Sequence, residues 1–146
     1  LLSAFSGGIR PDLPANNNSI HRRNDLKGLI IAAHGSRKAE SNDEIVQLTR
    51  NLSAISGEHF DLVECAFLQF TGPDLEETIT GMVEKGIEKI VVFPYFLGSG
   101  SHVTKDIPEI LSKMETKYPR IQITATRHLG AAKGVKELIL EEVPKQ

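Results

Sequence analysis

LIIAAHGSR, residues 29–37, runs from five apolar side chains straight into a histidine, a glycine, a serine and an arginine. An apolar run of that length without alternation predicts a strand covered on both faces, as in parallel sheets flanked by helices. The polar group begins where the strand stops, so it lies at the carboxyl edge of the sheet. Open α/β folds bind their ligands at that edge.

Working outward, strand-like and helix-like segments alternate four times, which predicts an α/β fold with an open four-stranded parallel sheet and helices on both faces. Strands are expected over 29–33, 60–68, 89–93 and 121–126. Ser41 and Glu44 have capping-box spacing, and Ile45, Leu48, Leu52 and Ile55 follow at helical intervals until Gly57. Gly72, Pro73 and Asp74 open a second helix with Leu75, Ile79, Met82 and Val83 inward, ending at Gly86. After a loop over 94–104, a third helix is expected from near Lys105, with Pro108 in its first turn and Ile107, Ile110, Leu111 and Met114 inward. A fourth is expected over 131–143, stopped by Pro144.

The bulk properties narrow the function classes. A chain of 146 residues with 40% hydrophobic content fits one domain, placed at 28–146. Residues 1–27 are rich in Gly, Pro, Asn and Ser without a period and read as a flexible arm. A formal charge of −2 supplies no basic field, so nucleic acid is not an expected partner. The apolar runs are too short for a membrane span. A single cysteine, Cys65, excludes a disulfide framework and any multi-cysteine metal site, and the reducing cytoplasm is the expected compartment. Cys65 falls in mid-strand, where a small core residue is expected rather than a nucleophile.

The carboxyl edge can be read from this layout. It carries His34, Ser36 and Arg37 after the first strand, Gln69 after the second, Ser99 to His102 after the third, and Arg127 with His128 after the fourth. Three of the five histidines lie there, whereas His21 and His59 are expected in solvent. The first and third strands become neighbours where an open sheet reverses its strand order, which brings His34 and His102 together. Two neutral imidazoles suit a borderline divalent ion such as Co²⁺, Ni²⁺, Fe²⁺ or Zn²⁺; alternatively each caps its own turn. Gly98 to Ser101 can cradle an anion with backbone N–H groups, or form an ordinary surface loop.

Three stretches carry a resemblance: A-H-G-S-R at Ala33 to Arg37, F-L-Q-F at Phe67 to Phe70, and P-Y-F-L-G-S-G-S-H-V-T-K-D-I-P at Pro94 to Pro108. Together they resemble the small class II tetrapyrrole chelatases, the CbiX and SirB-type sirohydrochlorin chelatases, over Gly28 to about Val143. The resemblance implies a chelatase-like (flavodoxin-like) fold and, for short members, a homodimer. It implies an enzyme that inserts Co²⁺, Fe²⁺ or Ni²⁺ into sirohydrochlorin, on the way to cobalamin, sirohaem or coenzyme F430, without an organic cofactor. His34 and His102 match the family's metal ligands, the first also serving as proton acceptor. Phe96, Leu97, Gly98, Ser99, Gly100 and Ser101 match its macrocycle-binding segment.

Many relatives carry a glutamate where this chain has Gln69, whose amide accepts hydrogen bonds but takes no proton at neutral pH. Glu64 stands about 16 Å back along an extended strand and is a poor substitute. The carboxylates of sirohydrochlorin require cations, for which Arg37 is placed best, with Lys38, Lys105 and Arg127 beside the same edge. His128 either faces the macrocycle or caps the fourth strand. Two other readings remain on these residues: a non-catalytic metal or tetrapyrrole binding protein on the same fold, and a phosphate or nucleotide binder using the Gly-Ser loop.

Overall fold

Every residue of β1 (Lys27–Ala33) after Lys27 is buried, as the unbroken apolar run requires. The structure, a computed structural model, describes residues 25–145. The rest of the expected arm, with His21, lies outside the described residues. Lys27, assigned to the arm from the sequence, is strand: it pairs with Lys89, and its N–H donates to the Asp61 carboxylate at 2.8 Å.

β2 (Leu62–Phe67), β3 (Lys89–Pro94) and β4 (Gln122–Ala125) complete a wholly parallel sheet in the order β2-β1-β3-β4. β1 and β3 are therefore neighbours, with Ile31 opposite both Cys65 and Phe93. On one face Ile30, Ala32, Ala66, Ile90, Val92 and Ile123 pack against α2 (Leu75–Glu84) and α3 (Ile107–Lys117). Those helices contribute Leu75, Ile79, Met82, Ile107, Leu111 and Met114, all buried, each worth about 1.5–3 kcal/mol of apolar transfer. On the other face Leu29, Ile31 and Val63 meet Ile45 and Leu52 of α1 (Ala39–Ser56).

Three expected helices are altered by local hydrogen bonding or backbone conformation. The Ser41 capping box does not form, and α1 starts at Ala39. Asn42 instead grips the preceding loop, accepting from the Ser36 N–H and donating to the Ser36 carbonyl, both at 2.8 Å. Leu48 and Ile55 also depart from expectation by facing solvent, while Thr49 and Ser56 are buried. Their hydroxyls donate within the helix, to Ile45 O at 2.8 Å and Ser53 O at 3.0 Å, which removes the cost of burying them. The capping box occurs on α2, where Asp74 and Glu77 each accept the other's backbone N–H.

The loop expected over 94–104 is shorter, because a π turn (His102–Asp106) leads directly into α3. Ile107 N–H reaches back to His102 O, one residue further than an α-helical bond. The cause is Pro108, which has no N–H and whose ring would clash with the carbonyl four residues earlier in a regular helix. The last helix is shorter than expected. Gly134, at φ +87°, separates a 3₁₀ turn (Leu129–Ala131) from α4 (Val135–Glu142). Leu138, Ile139 and Leu140 of α4 are exposed. Among the described residues no helix is long and apolar enough to cross a membrane.

Candidate metal and tetrapyrrole site

At the end of β1 the chain turns at Gly35, whose φ is +88°. A Cβ there would stand 2.0 Å from the Gln69 carbonyl oxygen, so only glycine fits. That close approach joins the ends of two strands: Leu68 N–H donates to Ala33 O at 3.0 Å and Gln69 N–H to His34 O at 2.9 Å. His34 is thereby fixed at the carboxyl edge with its ring in solvent.

His102 arrives from the π turn after β3, and its ring centroid lies 4.9 Å from that of His34, edge to face. The sequence expectation that these histidines converge is met. His34 Nδ1 lies 2.9 Å from its neighbour's carbonyl, Gly35 O, and His102 Nδ1 lies 2.7 Å from Asp106 Oδ2. A carbonyl or carboxylate oxygen only accepts, so each ring in its neutral form carries its proton on Nδ1 and keeps the Nε2 lone pair for a ligand. Two such imidazoles can share one divalent ion and leave its remaining positions to water or a second ligand. Among the described residues no group of three or more His, Cys, Asp or Glu side chains forms a metal cage.

Two hollows flank the pair. One, about 270 Å³, is lined by Gln69, His102, Asp106 and Glu109 with Leu68 and Ile110; the other, about 210 Å³, has His34, Ser36, Asn42 and Tyr95 in its wall. A roomier one of about 350 Å³ opens at the opposite edge, where the strands begin, between Lys27, His59 and Lys89. Lys89 there is paired with Asp25 at 3.0 Å.

The remaining expected residues divide. Phe96 lies against His102, with ring centroids 5.9 Å apart. Leu97 is 80% exposed, but its backbone is pinned: Gly130 N–H donates to Phe96 O at 3.0 Å, and a Cβ on Gly130 would fall 1.9 Å from Leu97 O. Gly98, Ser99, Gly100 and Ser101 follow as an exposed loop, ending where Gly100 O accepts from Val103 and Thr104 N–H. Arg37 lies over the Phe70 ring, 5.0 Å from its centroid. Gln69 faces the His102 hollow. His128 uses its carbonyl to accept from Ala131 N–H, opening the 3₁₀ turn. Glu64 is bound to Lys85 at 2.6 Å, back along β2. Burial raises the Cys65 thiol above its ordinary range, which keeps it a protonated core group.

Sequence reasoning gave no role to Asp106, Glu109 or Phe70, though Asp106 and Phe70 lie in the stretches that carry the resemblance. The first had a visible signal, since an acid four residues after a histidine faces it across one helical turn. Phe70 had none: its φ of +66° is unusual for an aromatic residue and depends on tertiary ties.

A family model described as CbiX matches residues 28–146. The sirohydrochlorin cobaltochelatase of Saccharolobus solfataricus is 32% identical over 124 residues, spanning 81% of this chain and 94% of that protein. Among solved structures, the sirohydrochlorin chelatase SirB from Bacillus subtilis subspecies spizizenii, in complex with cobalt, superposes with a TM-score of 0.68 at 24% identity. That match covers 80% of this chain and 49% of SirB, so this chain spans about half of the SirB length. SirB from Bacillus subtilis with Fe³⁺ gives the same TM-score, 0.68, over 82% of this chain and 48% of SirB.

Proposed function

Because this chain belongs to the CbiX family, we propose that it is a sirohydrochlorin metal chelatase, inserting a divalent ion into the macrocycle. The observation that carries the reading is the His34–His102 pair, rings 4.9 Å apart at the carboxyl edge, with each Nδ1 hydrogen-bonded and each Nε2 left basic. Insertion requires the macrocycle to lose two pyrrole N–H protons, one accepted by His34 and the other by solvent, while the ion sheds part of its water. Neutral imidazoles hold the ion without adding charge and accept a departing proton. His34, the more exposed ring, takes the proton-acceptor role, and His102, braced by Asp106, holds the ion.

Phe96 to Ser101 lie against the macrocycle, and Arg37 meets its carboxylate rim, charge-assisted. Cobalt is the favoured ion, because the relative that this chain matches over most of its length is named a cobaltochelatase; Fe²⁺ and Ni²⁺ suit the same ligands. The protein acts as a homodimer, a reading supported by the exposed apolar side chains of α4. The cytoplasm, where Cys65 stays a free thiol, is the compartment that fits.

The test is anaerobic mixing of the protein with sirohydrochlorin and Co²⁺, Fe²⁺ or Ni²⁺, following the absorbance change on metallation. Turnover well above the uncatalysed rate is expected with at least one ion. Rates equal to the control, with tight macrocycle binding retained, would leave a carrier instead. His34→Ala and His102→Ala are each expected to lose about 10²-fold or more in rate with an unchanged fold; full activity in either removes that residue's role.

A further inference from the structure

Phe70 occupies a position that the fold alone does not explain. Its backbone is left-handed at φ +66°, a conformation that costs a non-glycine residue about 1–3 kcal/mol. The cost is imposed by the ties around it: Gln69 N–H to His34 O at 2.9 Å, Thr71 N–H to Gln69 O at 2.8 Å and Phe67 N–H to Pro73 O at 2.9 Å. The ring so placed is 54% exposed. A glycine or asparagine would fill the turn at lower cost, and a polar side chain would suit the exposure.

What the position achieves is proximity to the imidazoles. Phe70 lies 5.8 Å from His34, His34 lies 4.9 Å from His102, and His102 lies 5.9 Å from Phe96, centroid to centroid. Each phenyl ring thus neighbours one imidazole of the pair, and successive rings are inclined to one another by 49°, 69° and 39°. Arg37 places its guanidinium over the Phe70 ring, 5.0 Å from the centroid. A cluster of ring faces and edges beside a cation complements a conjugated ligand with an anionic rim. Aromatic stacking supplies the attraction and the cation sets the orientation.

We propose that Phe70 is a macrocycle-binding residue, contacting the conjugated face of the tetrapyrrole on the His34 side as Phe96 does on the His102 side. The proposal rests on the chelatase reading above. It assigns Phe70 to binding of the macrocycle and not of the metal, and it accounts for a strained turn that orients an exposed ring.

The test separates these roles by titrating wild-type protein, Phe70→Gly and Phe70→Tyr with metal-free sirohydrochlorin, and separately with Co²⁺ alone. Thermal unfolding is recorded for all three. Phe70→Gly relieves the left-handed strain, so its melting temperature is expected to match or exceed that of the wild type. Its macrocycle affinity is expected to fall about tenfold or more, the scale of one lost stacking contact. Co²⁺ affinity stays within about twofold, and Phe70→Tyr restores macrocycle binding. Unchanged macrocycle affinity in Phe70→Gly overturns the proposal. So does a joint loss of macrocycle binding, Co²⁺ binding and melting temperature, which makes Phe70 a scaffold for His34. Wild-type protein that binds no sirohydrochlorin removes the chelatase reading, and this inference with it.

Discussion

His102 donates from Nδ1 to Asp106 across 2.7 Å, and that bond decides which nitrogen faces the site. Asp106→Ala frees the ring to rotate and to change tautomer, so Co²⁺ affinity and insertion rate are expected to fall about 10- to 100-fold. Asp106→Asn, whose Oδ1 still accepts, is expected to recover most of the loss; metal titration of both variants checks it. Gly35 is a different kind of requirement. Gly35→Ala puts a methyl group 2.0 Å from Gln69 O at a φ of +88°, so the loops after β1 and β2 must separate. The backbone strain alone is expected to lower stability by about 1–3 kcal/mol, read from denaturant midpoints. At this scale the sequence is uneven. His34 and His102 stand out because histidines are few and these two fall at strand ends. The left-handed Phe70 is invisible, because the ties that force it come from His34 and Pro73.

Among the elements, the strands are legible and the helix boundaries less so, for reasons particular to each. β1 and β3 are short apolar runs, and burial on both faces leaves that pattern no alternative. α1 starts early because Asn42 binds the Ser36 backbone, a contact that spacing rules do not anticipate. The π turn arises from Pro108 acting on the residues before it, and α4 is cut short by Gly134. α2, by contrast, carries a reciprocal cap at Asp74 and Glu77 that lies far from the imidazoles in function. Asp74→Ala is expected to cost about 1 kcal/mol of stability while leaving the metallation rate per folded molecule unchanged. Thermal melts and the absorbance assay, run on the same preparation, measure both.

For the whole molecule, the parallel order β2-β1-β3-β4 brings the two histidines together, and the alternation of elements, with the usual reversal of strand order in an open sheet, anticipates it. What the alternation conceals is that α4 buries none of its residues, leaving Ile139 58% and Leu140 72% exposed. If a second copy covers that helix, Ile139→Glu is expected to convert a dimer to monomers in sedimentation velocity while the far-ultraviolet spectrum is retained. An unchanged dimer places the interface elsewhere.

The strand order has one more consequence, for the order in which the site comes apart. His34 follows β1, which is hydrogen-bonded to a strand on each side, so freeing it requires opening the sheet itself. His102 follows an exposed loop and opens a single π turn. Amide hydrogen exchange should therefore show Ile30 and Ile31 exchanging only through global unfolding, and Val103 and Thr104 through low-energy local opening. On the proposed reading, His34 is held as firmly as the sheet, while His102 sits on a segment that opens alone, as the handing over of an ion requires.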